Sequence, residues 1–208
     1  MRRTLSTSVS TSWASARPVE KVVEAKWQSL PEVPIALQAL VTRAFPVDDG
    51  FVIQTLEPGW QRICEELTRN PDAMHQLTAS QWEELIAASY DKAGYDEVIL
   101  TPRSGDYGRD VIATKKGWGC VRIVDQVKAF KPGHLVSAND VRALIGVMVS
   151  DQRATKGVVS TTSAFAPRIE TDPFIAPHVP YRLELIDGPQ LLARLRGLNA
   201  KPSNAAKS

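Results

Sequence analysis

Three residues near the middle of the chain carry groups that can work together: Asp110, Gln126 and Lys128. They stand at the ends of two apolar runs, RDVIATKK (109–116) and CVRIVDQVK (120–128), joined by the turn Gly117-Trp118-Gly119. Strand side chains alternate between faces, so Gln126 and Lys128 share one face while Asp125 and Val127 share the other. Counting back through the hairpin puts Asp110 near the Gln126–Lys128 end. A carboxylate, an amide oxygen and an ammonium group gathered there suit metal-assisted hydrolysis of a phosphodiester. A hard cation such as Mg²⁺, with Mn²⁺ as a substitute, takes oxygen ligands and keeps several waters. Asp110 and Gln126 supply such oxygens. The metal acidifies a bound water and polarises the phosphate. Lys128 is placed to hold the attacking water and to counter the charge that grows on phosphorus. Glu83, on the preceding helix, is a further candidate ligand, directly or through water.

Each of these residues also has a plainer role. Glu83 lies three residues after Ser80 and can be the return half of a capping box. Asp110 can be a turn residue after Gly108, and Asp106 reads as one. Gln126 can be a half-exposed strand residue and Lys128 a solvated charge. It is their joint arrangement that favours chemistry.

The elements that must position them follow from periodicity. Ser80 precedes an amphipathic helix with Trp82, Leu85, Ile86 and Ser89 on one face and Gly94 at its end. EVILT (97–101), RDVIATKK and CVRIVDQVK read as three strands. SAND (137–140) is a capping box that opens a helix bearing Val141, Leu144, Ile145 and Met148. GVVSTT (157–162) suits a buried strand, YRLELI (181–186) is another, and Asp187 caps a closing helix with Leu191, Leu192 and Leu195. This order predicts an α/β fold with a mixed central sheet flanked by helices.

Upstream, Pro18 starts a predicted helix through Trp27, and the apolar run from Ile35 to Phe45 is also expected to be helical. FVIQTL (51–56) is a possible strand. Trp60, Ile63, Cys64 and Leu67 mark an amphipathic helix that Asn70-Pro71 ends. The expected organisation is a flexible tail over 1–17, a small, mainly helical N-terminal region over 18–75, the main domain over 76–198 and a second tail over 199–208.

Composition narrows the function classes. The chain has 208 residues, 43% hydrophobic and 23% charged, with a formal net charge of +2. These are ordinary globular values with no run long enough to span a membrane. The charge permits nucleic-acid binding without arguing for it. Two cysteines, Cys64 and Cys120, and three scattered histidines give neither a disulfide framework nor zinc spacing. Both cysteines are expected to be buried thiols. No apolar stretch follows Arg2-Arg3, so no secretory signal is read and a cytoplasmic location is expected.

The ordered motifs resemble the catalytic domain of Mrr-like restriction endonucleases, within the PD-(D/E)xK nuclease superfamily. The resemblance rests on WEELIAASYDKAGY (82–95), LTPRSGDYGRDVIA (100–113), DQVKAF (125–130), VSANDVRALIGVM (136–148), KGVVSTTSAF (156–165) and LIDGPQLLARL (185–195). It implies a restriction-endonuclease-like core of order αβββαβ, with Asp110 as metal ligand and Lys128 as catalytic lysine. Gln126 stands where many relatives have an acid, and Glu83 is an auxiliary acid. Arg109 and Asp125 depart from a pattern that is usually apolar at both places. Asp125 is expected to face away from the site unless a bulge turns it inward. No winged-helix recognition module is visible in the N-terminal region.

The function implied is a Mg²⁺-dependent DNA endonuclease of restriction or DNA defence, acting on double-stranded DNA, with methylated DNA as one possible form. Lys131 to His134 and Ser160 to Phe165 are expected to flank the cleft and touch phosphates. Cutting both strands implies a homodimer. A repair or junction-resolving nuclease on the same core, and a catalytically weak DNA-binding or interaction module, remain as alternatives.

Overall fold

The alternation of short β-rich runs with amphipathic segments is realised as a mixed sheet covered by helices on both faces. The computed structural model describes residues 39–102 and 108–200. The expected tail over 1–17, residues 201–208 of the expected tail over 199–208, the helix from Pro18 to Trp27 and the turn residues Gly105 and Asp106 lie outside the described residues; Asn199 belongs to the last helix and Ala200 caps it.

The described elements are β1 (Val41–Val47), β2 (Gly50–Thr55), α1 (Glu57–Arg69), a 3-10 turn (Pro71–Gln76), α2 (Ala79–Lys92), β3 (Glu97–Leu100), β4 (Val111–Lys115), β5 (Val121–Lys128), α3 (Ala138–Ser150), β6 (Lys156–Thr161), β7 (Leu183–Ile186) and α4 (Gly188–Asn199). From α2 to β6 the order is the expected αβββαβ. The strands lie in the sheet in sequence order, β1 to β7. Pairing is antiparallel from β1 to β5 and parallel from β5 to β7. The switch comes where α3 intervenes, because a parallel neighbour needs a crossover and a tight turn gives an antiparallel one.

One expectation fails. Of the run Ile35–Phe45, read as helical, residues 35–38 lie outside the described residues and Val41 to Phe45 belong to strand β1. Two residues, Asp48 and Asp49, connect β1 to β2, with Val47 paired to Gly50. Turn-forming residues Asp48, Asp49 and Gly50 lie between the two strands' apolar stretches, and strand pairing overrode an apolar run whose period was ambiguous. Pro46 is tolerated because β1 is an edge strand.

Two hydrophobic layers fix the faces of the sheet. On one side, Trp82, Leu85 and Ile86 of α2 and Leu191 and Leu195 of α4 pack with Val98, Val111, Ala113 and Ile123. Ile63 and Leu67 of α1 join the same cluster, so this helix belongs to the body of the domain. Trp60 and Trp82 are fully buried, and the Trp82 indole Nε1 donates to the Met74 carbonyl at 3.0 Å. Burial of each large apolar side chain stabilises the fold by about 1.5–3 kcal/mol. On the other side, Val141, Leu144 and Met148 of α3 pack with Val124 and Val159. The alternation Ile123/Val124 and Val158/Val159 divides the two layers.

The cap of α2 also differs from expectation. Thr78, not Ser80, caps the helix, with Gln81 completing the box. Thr-x-x-Gln satisfies the same reciprocal geometry two residues earlier. Glu83 is therefore not a capping residue. The boxes Ser137–Asp140 at α3 and Asp187–Gln190 at α4 both form. Cys64 is buried as expected, whereas Cys120 is exposed at the β4–β5 turn, and both are free thiols. Among the described residues no helix is long and apolar enough to cross a membrane.

Candidate active site

The β4–β5 ladder decides where the candidate residues stand. Its register runs without a shift from Lys115 opposite Val121 to Val111 opposite Asp125. The pairing ends there, and Asp110 is the residue that leads into it. The Asp110 N–H donates to the Asp125 carbonyl at 3.0 Å, and the Thr101 N–H donates to the Asp110 carbonyl at 3.1 Å. The Asp110 backbone is thus held by the strand on either side. Its side-chain Oδ2 accepts from the Val127 N–H at 2.6 Å. The ladder ends here, and the carboxylate takes the amide that the next backbone carbonyl would have used. That bond orients the Asp110 carboxyl group.

Gln126 shares its face with Val124 and Lys128, the side covered by α3. Its side chain is buried, and Oε1 accepts no hydrogen bond from a described residue. The turn leading to Asp110 closes over it: Gly108 has φ +80°, and a Cβ built there would lie 2.8 Å from the Gln126 Nε2. The left-handed backbone favours glycine, and a side chain here would also push on the Gln126 amide.

Lys128 lies two residues on, on the same face. Its Nζ is 3.3 Å from Oδ1 of Asp140 in the first turn of α3. The other oxygen of Asp140 accepts from Ser137 N at 3.0 Å and Ser137 Oγ at 2.6 Å. Burial alone would raise the Asp140 pKa, but the Ser137 bonds and the Lys128 ammonium together hold it below its ordinary value. The SAND box and the lysine were each visible in the sequence; their junction was not.

Asp125 points to the opposite face. With no bulge in β5, it lies at 1% exposure under α2, accepting from Tyr90 Oη at 2.8 Å and Ser160 Oγ at 3.1 Å. Burial pushes its carboxyl up to about 8; the bonds from Tyr90 and Ser160 lower it and the Asp110 charge raises it further. It is a core acid, as the alternation predicts. Glu83 is half-buried on α2, the helix on the Asp125 side of the sheet.

The flanking segments differ from expectation in part. Lys131 and His134 are exposed, and His134 stacks on Phe130 with ring centroids 4.2 Å apart. Ser160, Thr161 and Thr162 are buried. Their hydroxyls donate to Asp125 Oδ2, the Lys128 carbonyl and the Phe130 carbonyl. They bind the Lys128 strand end from within and do not reach solvent phosphates.

Arg109, the other departure noted in the sequence, sits in a charge cluster. It lies 3.5 Å from Asp49 and 3.6 Å from Asp151. Asp49 is in the β1–β2 turn, and no reading of the sequence linked it to the site.

For a metal, the donor set is the Asp110 carboxylate and the Gln126 amide oxygen, the latter with no hydrogen-bond partner among the described residues. Among the described residues no group of three His, Cys, Asp or Glu side chains is poised to hold an ion. Hard oxygen donors in this number fit a largely hydrated divalent cation of the Mg²⁺ kind. They do not fit a site enclosed entirely by protein ligands.

Two solved structures share similarity with the chain. One is the MspJI restriction endonuclease in complex with a 27-mer oligonucleotide, 21% identical over 69% of this chain and 32% of that one, with a TM-score of 0.43. The other is AspBHI, a DNA modification-dependent restriction endonuclease, 18% identical over 88% of this chain and 46% of that one, with a TM-score of 0.45. The chain thus spans less than half the length of either. No curated protein matches at the same significance. The family model for the Mrr catalytic domain, described as a restriction endonuclease, matches residues 74–195. That span begins just before α2, ends within α4 and holds Asp110, Gln126 and Lys128 on their three-strand core, and by this match the chain belongs to the Mrr-type restriction endonuclease family.

Proposed function

We propose that the domain hydrolyses phosphodiester bonds of double-stranded DNA with the help of Mg²⁺ or Mn²⁺, as the cleaving part of a restriction-type endonuclease. The observation that carries this reading is the meeting at the β4–β5 end. There the Val127 N–H orients the Asp110 carboxylate at the end of the strand that carries a buried Gln126, whose Oε1 has no partner among the described residues, and Lys128 on the same face as Gln126.

Asp110 and Gln126 would hold the cation, with Glu83 contributing from the helix on the other layer. When bound, the metal supplies an acidified water and polarises the phosphate. Val127 N–H keeps one Asp110 oxygen fixed so that the carboxyl cannot rotate away. Lys128 counters charge developing on the phosphate and positions the attacking water. Asp140 holds the ammonium in place between turnovers. Lys131 and His134 are exposed beside this strand end, where backbone phosphate contacts orient DNA without reading its sequence. Two copies acting together would cut both strands.

The test uses supercoiled plasmid, methylated and unmethylated, with Mg²⁺ or Mn²⁺. Wild-type protein is expected to nick and then linearise the plasmid, and Asp110→Ala and Lys128→Ala to leave it intact. DNA that is shifted on a gel but uncut by wild type in every condition would overturn the nuclease reading in favour of a binding module.

A further inference from the structure

Five charged side chains form one network beside the catalytic turn. Arg122 lies 2.8 Å from Asp49 and 3.8 Å from Asp151. Arg153 lies 3.2 Å from Asp49 and 3.4 Å from Asp151. With Arg109 at 3.5 and 3.6 Å, each of the three guanidiniums reaches both carboxylates. Four of the five side chains are at most 17% exposed; only Arg153, at 65%, faces solvent. Burial alone would raise the Asp49 pKa, yet Arg122, Arg153 and Arg109 hold it below the ordinary value.

The network joins four separate pieces of chain, one of them β5 through Arg122. Asp49 comes from the β1–β2 turn, Asp151 follows the last turn of α3, and Arg109 immediately precedes Asp110. A second contact runs along the same path. Gly50 packs so tightly on the end of β3 that a Cβ would lie 2.3 Å from the Leu100 carbonyl oxygen and 3.0 Å from the Thr101 Cα. Thr101 in turn holds the Asp110 carbonyl through its N–H and the Arg109 carbonyl through its hydroxyl. The β1–β2 turn therefore meets the catalytic turn twice, once through backbone and once through charge. It lies outside residues 74–195, the span shared with the family.

We propose that Asp49 is a positioning residue for the metal-binding turn, acting through Arg109 so that the β1–β2 hairpin holds the Asp110 carboxylate in register with Gln126. The inference rests on the nuclease reading for its effect on cleavage, but not for its effect on the turn. A guanidinium whose Nη1 stands 3.5 and 3.6 Å from two carboxylates restrains its own backbone in a way a flexible ammonium does not. Removing one member of a buried ionic group leaves uncompensated charge. The informative variant is therefore the double replacement Asp49→Asn with Arg153→Gln, which keeps the local charge balance while cutting the hairpin's tie to Arg109.

The experiment compares amide hydrogen exchange in the full chain for wild type, Arg153→Gln and the double variant. The Asp110 and Val127 amides are expected to exchange about tenfold faster in the double variant than in Arg153→Gln, with Val158 in β6 unchanged. Asp49→Glu in the wild-type background is expected to keep much of the protection. Arg109→Lys, read in the same way, serves if the double variant does not fold, and is expected to loosen the same two amides. Unchanged exchange at Asp110 and Val127, or a uniform rise across every strand, would overturn the proposal. Cleavage supplies the second readout: kcat is expected to fall at least about tenfold while KM for DNA stays within about twofold. A wild-type protein that cuts no DNA refutes the nuclease reading, and the exchange data still decide the role of Asp49.

Discussion

Lys128 Nζ sits 3.3 Å from Asp140 Oδ1, and Asp140 is at the same time the return half of the box that starts α3. One carboxylate thus joins the end of β5 to the helix that covers it. Removing the helix cap and removing the lysine's partner are separable. Ser137→Ala deletes the capping hydroxyl and is expected to cost about 1 kcal/mol of stability with little change in rate. Asp140→Asn is expected to cost a similar amount and, in addition, to slow cleavage about 10- to 100-fold. Thermal melts and plasmid cleavage on both variants check the distinction.

The contact of Gly108 with Gln126 makes another test. Gly108→Ala puts a side chain at φ +80° and drives a Cβ into the Gln126 amide. The left-handed conformation alone costs about 1–2 kcal/mol. The variant is expected to melt earlier and to need more metal for half-maximal cleavage. Gln126→Glu adds a negative oxygen to the same position and is expected to lower the metal concentration needed at neutral pH. A titration of activity against Mg²⁺ reads both.

Asp125 gives a pH signature. Burial pushes its carboxyl up to about 8 in the folded protein, from an ordinary value of 3.8. Between those values the folded state binds the proton more tightly than the unfolded state, so this group's contribution to stability declines as pH rises from about 4 to about 8. Above that window the loss is complete. Asn at the same position still accepts from Tyr90 and Ser160 but does not titrate. Denaturant unfolding in EDTA is therefore expected to show Asp125→Asn gaining on wild type as pH rises across this window. Equal pH profiles for the two proteins would count against the buried carboxyl.

The two thiols are expected to react at different stages. Cys120 is exposed on the β4–β5 turn, while Cys64 is buried in α1 with its thiol pushed up to about 12, mainly by burial. A thiol reagent at neutral pH should modify one cysteine in the native protein and the second only on unfolding. Two rapidly reacting thiols would show that α1 does not pack on the sheet as described.

Much of the fold was legible in the sequence because it rests on local signals. The three strands from Glu97 to Lys128, the Ser137–Asp140 box, the Asp187 cap and the apolar stripe of α2 each follow from spacing within a few residues. Strand alternation also separates Gln126 and Lys128 from Asp125, because that rule needs only an unbulged strand. What tertiary structure decided are the pairings between distant segments. An apolar run became β1 because β2 was there to pair with it, and local propensity cannot see a partner. Asp140 meets Lys128, Asp49 meets Arg109, and Ser160 turns inward to Asp125, all across loops or whole elements. A sequence lists the charges and hydroxyls that can bond, but only the packed sheet chooses which do, because burial makes an unpaired polar group costly and so selects one set of partners.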